Sequence, residues 1–284
     1  MGMKKLLIDF LNEYYQADLK SIHDVAGNQH LVGNSKIYNG ALFVKIFKDP
    51  EMFYAEQHVN QVYYPEIYLD SVIFEDSYIV TLRDRELHDL DENKMDQKEA
   101  YEFGELLGNF HKKLTGRVLV AGSELKLSEQ LNKKVQALTN TPYEKSTQAV
   151  LALLRSDFAQ GNLEYEQMPK VVLHGDFSIR NIMKFEGKNI LIDFERAHTG
   201  AAYEDFIKFF YKEVTNPTLR KEFIAGYSSV MEFEIPSHAL QRCLLFLCAL
   251  EICDYNLTHS GRKFGTMADR MVETIKNKDA VLSL

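Results

Sequence analysis

The sequence predicts an α+β chain in which a small antiparallel sheet with one helix is followed by a larger, mostly helical part. Three observations predict it. Five short runs rich in β-branched and aromatic residues crowd between Ile22 and Leu82, separated by Gly, Asn and Pro. From Met95 onward, apolar residues recur at helical spacing. Within that helical part, two short apolar runs, Val171-Val172-Leu173 and Ile190-Leu191-Ile192, each lead into a polar motif.

The elements follow in order. Leu6, Leu7, Phe10 and Leu11 share one face of a helix over 5–16. Ile22–Ala26, Leu31–Tyr38 and Ala41–Phe47 read as strands, with Asn39-Gly40 as a hairpin signal between the last two. Asp49-Pro50 supplies an N-cap and a proline at the first helical position, opening a helix to about Tyr64. Ser71–Glu75 and Tyr78–Leu82 give a second pair of strands. Phe103, Leu106, Leu107, Phe110 and Leu114 stripe a long helix from Met95, ended by Gly116. His111 on that helix is expected to be a satisfied, buried histidine. Two amphipathic helices are expected around Ser128–Thr139 and Tyr143–Gln160. Helices then fill Tyr203–Val214, Pro217–Met231, Pro236–Thr258 and Gly265–Leu284.

Chemistry concentrates in Leu173-His174-Gly175-Asp176-Phe177-Ser178-Ile179-Arg180-Asn181 and Ile190-Leu191-Ile192-Asp193-Phe194-Glu195. Asp176, Asn181 and Asp193 fall at strand ends and in the loop between them. A tight loop can turn Asn181 back beside Asp193. An amide oxygen and one carboxylate suffice for magnesium when ATP phosphates and water complete its shell. Asp176 is left to accept a hydroxyl proton and aim the nucleophile. Phosphoryl transfer asks mainly for positioning and charge neutralisation, so few residues are needed.

These two motifs resemble the aminoglycoside phosphotransferase and choline kinase family, the phosphotransferase enzyme family with a protein-kinase-like fold. Protein kinases carry H-R-D-x-x-x-x-N and D-F-G at the matching places. Here Gly175 replaces their Arg, and Phe194-Glu195 replaces Phe-Gly. The resemblance implies a two-lobed fold: an N-lobe over 1–82 that binds nucleotide, a hinge or linker over 83–90, and a catalytic, substrate-binding C-lobe over 91–284. It implies Asp176 as the base, Asn181 and Asp193 as metal ligands, and His174 as a brace for the loop. On the third strand, Lys45 would hold the phosphates, with Glu56 as its ion-pair partner. Gly27-Asn28, in a turn that is neither G-x-G-x-x-G nor a Walker A loop, would cover the phosphates. Backbone at Leu82-Arg83 would meet the adenine.

The expected activity is therefore ATP- and Mg2+-dependent phosphorylation of a hydroxyl on a small molecule. An aminoglycoside, a choline-like compound, a sugar and a ketoamine all stay open. Acids that could contact the acceptor are Glu195, Glu251 and Asp254. The alternative is a catalytically silent pseudokinase that binds nucleotide; the presence of Lys45, Asp176, Asn181 and Asp193 argues against it. No A-P-E element follows the second motif, which argues against a protein substrate.

Composition agrees. A formal charge of −8 speaks against a nucleic-acid partner. Nine acids face three bases between Asp84 and Glu105, so much of the surplus lies on one linker and helix, not at the motifs. Cys243, Cys248 and Cys253 are five residues apart, a turn of about 140° each on a helix, so they cannot share one metal. They are expected to be buried reduced thiols. The absence of a secretory signal pattern and of a bilayer-length apolar run predicts a cytoplasmic protein with no membrane partner.

Overall fold

The computed structural model describes residues 2–25, 28–90, 95–258 and 265–278. They divide into two compact units. The first comprises Met1–Asp91, Lys113–Ala121 and His174–His198; the second comprises Glu92–Lys112, Gly122–Leu173 and Thr199–Leu284.

In chain order the first unit contains α1 (Gly2–Tyr14), β1 (Lys20–Val25), β2 (Asn28–Ser35), β3 (Gly40–Phe47), α2 (Pro50–Tyr63), β4 (Tyr68–Phe74), β5 (Ser77–Arg83) and β6 (His88–Asp89). Five strands form an antiparallel sheet in the order β1-β2-β3-β5-β4. Side chains alternate across a strand with period two. Leu42, Val44 and Ile46 of β3 therefore join Leu31 and Ile79 in one core, covered by Leu7 and Leu11 of α1 and by Tyr15. Phe43, Lys45 and Phe47 point to the other face, where Phe47 and Val80 meet Phe53 of α2. Helix α2 begins as its sequence dictates: the Asp49 carboxylate accepts from Glu51 N–H at 2.8 Å, and Pro50 occupies the first turn.

The hairpin between β2 and β3 is wider than Asn39-Gly40 suggests. Pairing stops at Ser35 opposite Gly40, leaving a four-residue loop in which Asn39 has φ 48. Ser35 explains the early stop. Its buried hydroxyl donates to Tyr15 O at 2.6 Å and accepts from Ile37 N–H and Tyr38 N–H. Gly27 lies outside the described residues, and Asn28 opens β2.

The second unit contains α3 (Gln97–Leu114, whose last two residues belong to the first unit), α4 (Leu127–Ala137), α5 (Glu144–Leu154), α6 (Phe158–Gln167) and β7 (Lys170–Leu173). Back in the first unit, a 3-10 turn (Ile179–Asn181) precedes β8 (Ile182–Phe185) and β9 (Lys188–Leu191). The chain then runs through β10 (His198–Ala201), which pairs with β7, to α7 (Tyr203–Lys212), α8 (Pro217–Ser228), α9 (His238–Thr258) and α10 (Gly265–Lys276). Helix α9 is buried along most of its length, as expected of a helix apolar on all sides, and packs against α4, α6, α7 and α10. None of its three cysteines is in a disulfide, and all three are buried.

One helix was expected over Tyr143–Gln160, but two form. Helix α5 ends at Leu154 and α6 restarts at Phe158; Asp157, just before α6, has its carboxylate 2.6 Å from Arg242 Nη1. His111 is fully buried, with Nε2 3.0 Å from Asp205 Oδ2 and Nδ1 2.8 Å from Tyr227 Oη. Among the described residues, no helix is long and apolar enough to cross a membrane.

Helices α3 and α8 cross where neither can carry a side chain. A Cβ on Gly104 would lie 1.9 Å from Phe223 O, and one on Gly226 would lie 2.0 Å from Tyr101 O. Alanine at 104 gains up to about 1 kcal/mol in helix propensity. It must also force two backbones apart, which costs about 1–3 kcal/mol. Gly104→Ala is therefore expected to lower the midpoint of thermal unfolding. A midpoint at or above the wild-type value would contradict this crossing.

Candidate active site

The site grows out of β3. Lys45 is forced by period two onto the face opposite the α1 core, and its ammonium is buried. It meets two carboxylates there: Glu56 Oε1 at 2.9 Å and Asp193 Oδ1 at 2.7 Å. Glu56, 1 % exposed, is held by more than this pair. Its Oε2 accepts from Phe194 N–H at 2.7 Å, and Asn60 Nδ2, one helical turn on, donates to its Oε1 at 3.2 Å. Burial alone would lower the Lys45 pKa, but the carboxylates of Asp193 and Glu56 outweigh it and raise it. In return, the Lys45 ammonium holds the Asp193 carboxyl below the usual carboxylate range.

A β-hairpin delivers Asp193. Strands β8 and β9 are joined by Glu186-Gly187, with φ 49 and 77, the two positive values a type I′ turn requires. Strand β8 was not foreseen from the sequence. It brings Asn181, just before its first residue, level with the end of β9, where Ile192 N–H donates to Asn181 O at 3.0 Å. Asp193 itself has φ 68, a left-handed backbone uncommon outside Gly and Asn, with the cost in strain that marks functional positions.

The loop carrying Asp176 is braced from both sides. His174, fully buried, has Nε2 3.0 Å from Ile192 O and Nδ1 3.4 Å from Asp176 N. The tautomer protonated at Nε2 satisfies both contacts. His174 thus ties the Asp176 loop to the strand of Asp193, as a brace would. Asn181 Nδ2 donates to the Asp176 carbonyl at 2.8 Å and approaches its Oδ2 at 3.3 Å. Gly175 is obligatory: φ is 77, and a Cβ would lie 2.1 Å from Arg196 O.

A cavity of about 400 Å³ opens on this group. It is lined by Lys45, Glu56, Asn181 and Asp193, by Phe43, Tyr64 and Leu82, and by His30 and Arg83. The volume falls in the range of small-molecule sites. Of the residues singled out in the sequence, Lys45, Glu56, Asn181, Asp193, Leu82 and Arg83 all line it, and Asp176 is bonded to one of them. Glu251 and Asp254 are exposed on α9 in the second unit, Glu251 3.4 Å from Lys134 Nζ. Phe43 and Tyr64 were not singled out. Period two from Lys45 would have found Phe43; Tyr64, whose hydroxyl accepts from Leu191 N–H at 3.2 Å, had no such signal.

The donor set fits a hard divalent cation: the Asn181 amide oxygen and the Asp193 carboxylate, on one hairpin. Among the described residues, no cluster of three His, Cys, Asp or Glu side chains could enclose a metal alone, so such an ion would need further oxygens from a ligand and water. Glu195 belongs to the same charge group. Burial, then the Asp193 carboxylate, pushes its carboxyl up to about 7. The folded pKa exceeds the ordinary 4.5, so the folded state holds the extra proton and stability falls as pH rises between the two values. Without nucleotide, Glu195→Gln is expected to gain thermal stability over the wild type progressively from pH 5 to pH 8. A constant difference across that range would exclude a strained carboxylate.

No curated protein matches the sequence. Solved structures do match in fold. Amicoumacin kinase hAmiN, in complex with AMP-PNP, Ca2+ and Ami, aligns with a TM-score of 0.68 at 13 % identity, over 99 % of this chain and 95 % of that one. A thermostable mutant of aminoglycoside phosphotransferase APH(4)-Ia, in a ternary complex with ADP and hygromycin B, aligns with a TM-score of 0.66 at 13 % identity, over 96 % and 98 %. Choline kinase LicA from Streptococcus pneumoniae aligns with a TM-score of 0.63 at 14 % identity, over 98 % and 99 %. At such identities the likeness establishes the fold, which is the protein-kinase-like one with an antiparallel-sheet unit and a helical unit. The family is established separately: the model of the phosphotransferase enzyme family matches residues 52–240, well over half of the chain and both motifs. The chain therefore belongs to the phosphotransferase enzyme family and is an enzyme of its small-molecule kinase type.

Proposed function

We propose that this chain transfers the γ-phosphoryl group of ATP, with Mg2+, to a hydroxyl group of a small molecule. The observation that carries the reading is the chain of contacts Glu56–Lys45–Asp193 on the wall of the 400 Å³ cavity, with Asn181 and Asp176 hydrogen-bonded beside it. Glu56 fixes the Lys45 ammonium, which holds phosphate oxygens as a point charge. Asn181 and Asp193 present oxygens to the metal, which when bound neutralises charge on the phosphates. Asp176 accepts the acceptor's proton as the oxygen–phosphorus bond forms and the bond to ADP breaks. Phe43 and Leu82 offer apolar surface to a base, and Arg83 lines the same end.

The nucleotide complexes of amicoumacin kinase and of aminoglycoside phosphotransferase APH(4)-Ia support a nucleotide donor and a small-molecule acceptor. In this reading the acceptor contacts are drawn from Glu195, Glu251 and Asp254. The test is ADP release with Mg2+ and ATP across a panel of aminoglycosides, choline-like compounds, sugars and ketoamines. At least one should be phosphorylated, and chelation should stop it. Nucleotide binding with no turnover across the panel would favour the catalytically silent alternative. For a cationic acceptor, Glu195→Gln, Glu251→Gln or Asp254→Asn should raise its KM by about 10- to 150-fold where a charged hydrogen bond is lost. If all three leave that KM unchanged, Arg180 and Arg196 become the better contacts, for an anionic acceptor.

A further inference from the structure

The geometry points to His30 as a phosphate-holding residue: we propose that its imidazole donates a hydrogen bond to the donor's phosphate chain beside Lys45. This rests on the ATP-dependent reading above and adds a residue to it. In the antiparallel ladder His30 stands directly opposite Lys45. Directly paired residues project to the same face with Cβ atoms about 5 Å apart. Both line the cavity, together with Asp193. The imidazole ring rests against Phe43, with centroids 5.3 Å apart and planes inclined by 41°.

Among the described residues, the backbone of β2 gives a reason for a side chain here. Kinases cover phosphates with N–H groups of a glycine-rich loop. Here β2 is committed to the sheet from Asn28 to Ser35, with β1 on one side and β3 on the other. Its one glycine, Gly33, serves packing: a Cβ there would lie 2.8 Å from the backbone at Asp18 and Leu19. Lys45, already between two carboxylates, is a single ammonium for several phosphate oxygens. An N–H on the neighbouring strand supplies a second donor at the same level of the cavity, and a neutral imidazole can give it.

Calorimetric titration with Mg·ATP and with adenosine separates the possibilities. His30→Phe keeps a ring against Phe43 and loses the donor. It should weaken ATP by about 10- to 150-fold while adenosine binds as before. His30→Gln, which keeps an N–H, should restore much of the loss. Equal weakening of ATP and adenosine in His30→Phe would mean that the ring only shapes the base wall, and unchanged ATP binding would mean that His30 holds nothing; either overturns the proposal alone. A wild-type protein that binds neither ligand would overturn the ATP-dependent reading, and this proposal with it.

Discussion

Asp176→Asn is expected to keep the fold and Mg·ATP binding while turnover of an accepted substrate falls by about 10²–10⁴-fold, the usual contribution of a general base. The substitution is well posed because the loop is held by its backbone. Asp176 N–H reaches His174 Nδ1, and its carbonyl receives the Asn181 amide at 2.8 Å. Neither contact needs the carboxylate. What is lost includes the acceptor for the hydroxyl proton, while the long contacts of Oδ2 to Asn181 Nδ2 at 3.3 Å and to the exposed Arg180 Nη2 at 3.4 Å add little. Steady-state turnover and nucleotide affinity should be measured on the same preparation. A variant retaining more than a tenth of wild-type turnover would remove Asp176 from the role of base.

The second large effect concerns the metal. A ligand at 100 times its Kd raises stability by about 2.7 kcal/mol, so nucleotide binding can be read as a shift in the thermal midpoint. The wild-type protein should show a larger shift with ATP plus Mg2+ than with ATP alone. Asp193→Asn should abolish that metal-dependent increment, and Asn181→Ala should reduce it, since a carboxylate brings a full charge and an amide only a dipole. Asparagine is the right replacement at 193 because it tolerates the left-handed backbone recorded there, φ 68, better than alanine. A full metal-dependent increment in Asp193→Asn would take Asp193 out of the metal site.

Much of this arrangement was legible because it rests on local rules. Lys45 inside an apolar strand, Asp49-Pro50 before a helix and a buried His111 each carry their signal within a few residues, and the structure places all three as expected. What escaped depends on partners far along the chain. Nothing near Asn39 shows that the Ser35 hydroxyl will be taken by Tyr15 and end the strand early. Nothing near Ser156 shows that the chain will leave the helix there, or that Asp157 will pair with Arg242. Strand β8 is four residues long, and its apolar Ile182 and Met183 look like loop until β9 pairs with them. Whether His30 touches nucleotide or merely ends a turn is open in the sequence until the register sets it opposite Lys45. Gly175 could be read as a departure from the kinase pattern, but the reason, the carbonyl of Arg196 against its α-carbon, is visible only in three dimensions.

The two partners of Lys45 are unequal. Glu56 is 1 % exposed and anchored by Phe194 N–H and Asn60, whereas the Asp193 side chain is 38 % exposed. Glu56 is thus a fixed pole and Asp193 a counter-ion that can be exchanged. A triphosphate arriving alone must take the ammonium from Asp193 and leave an unbalanced carboxylate against its own negative charge. A triphosphate arriving with a divalent cation gives Asp193 a replacement in the same event. On the proposed reading, the pair would favour a metal–nucleotide complex that enters as one body, because free nucleotide would set its own negative charge against the Asp193 carboxylate.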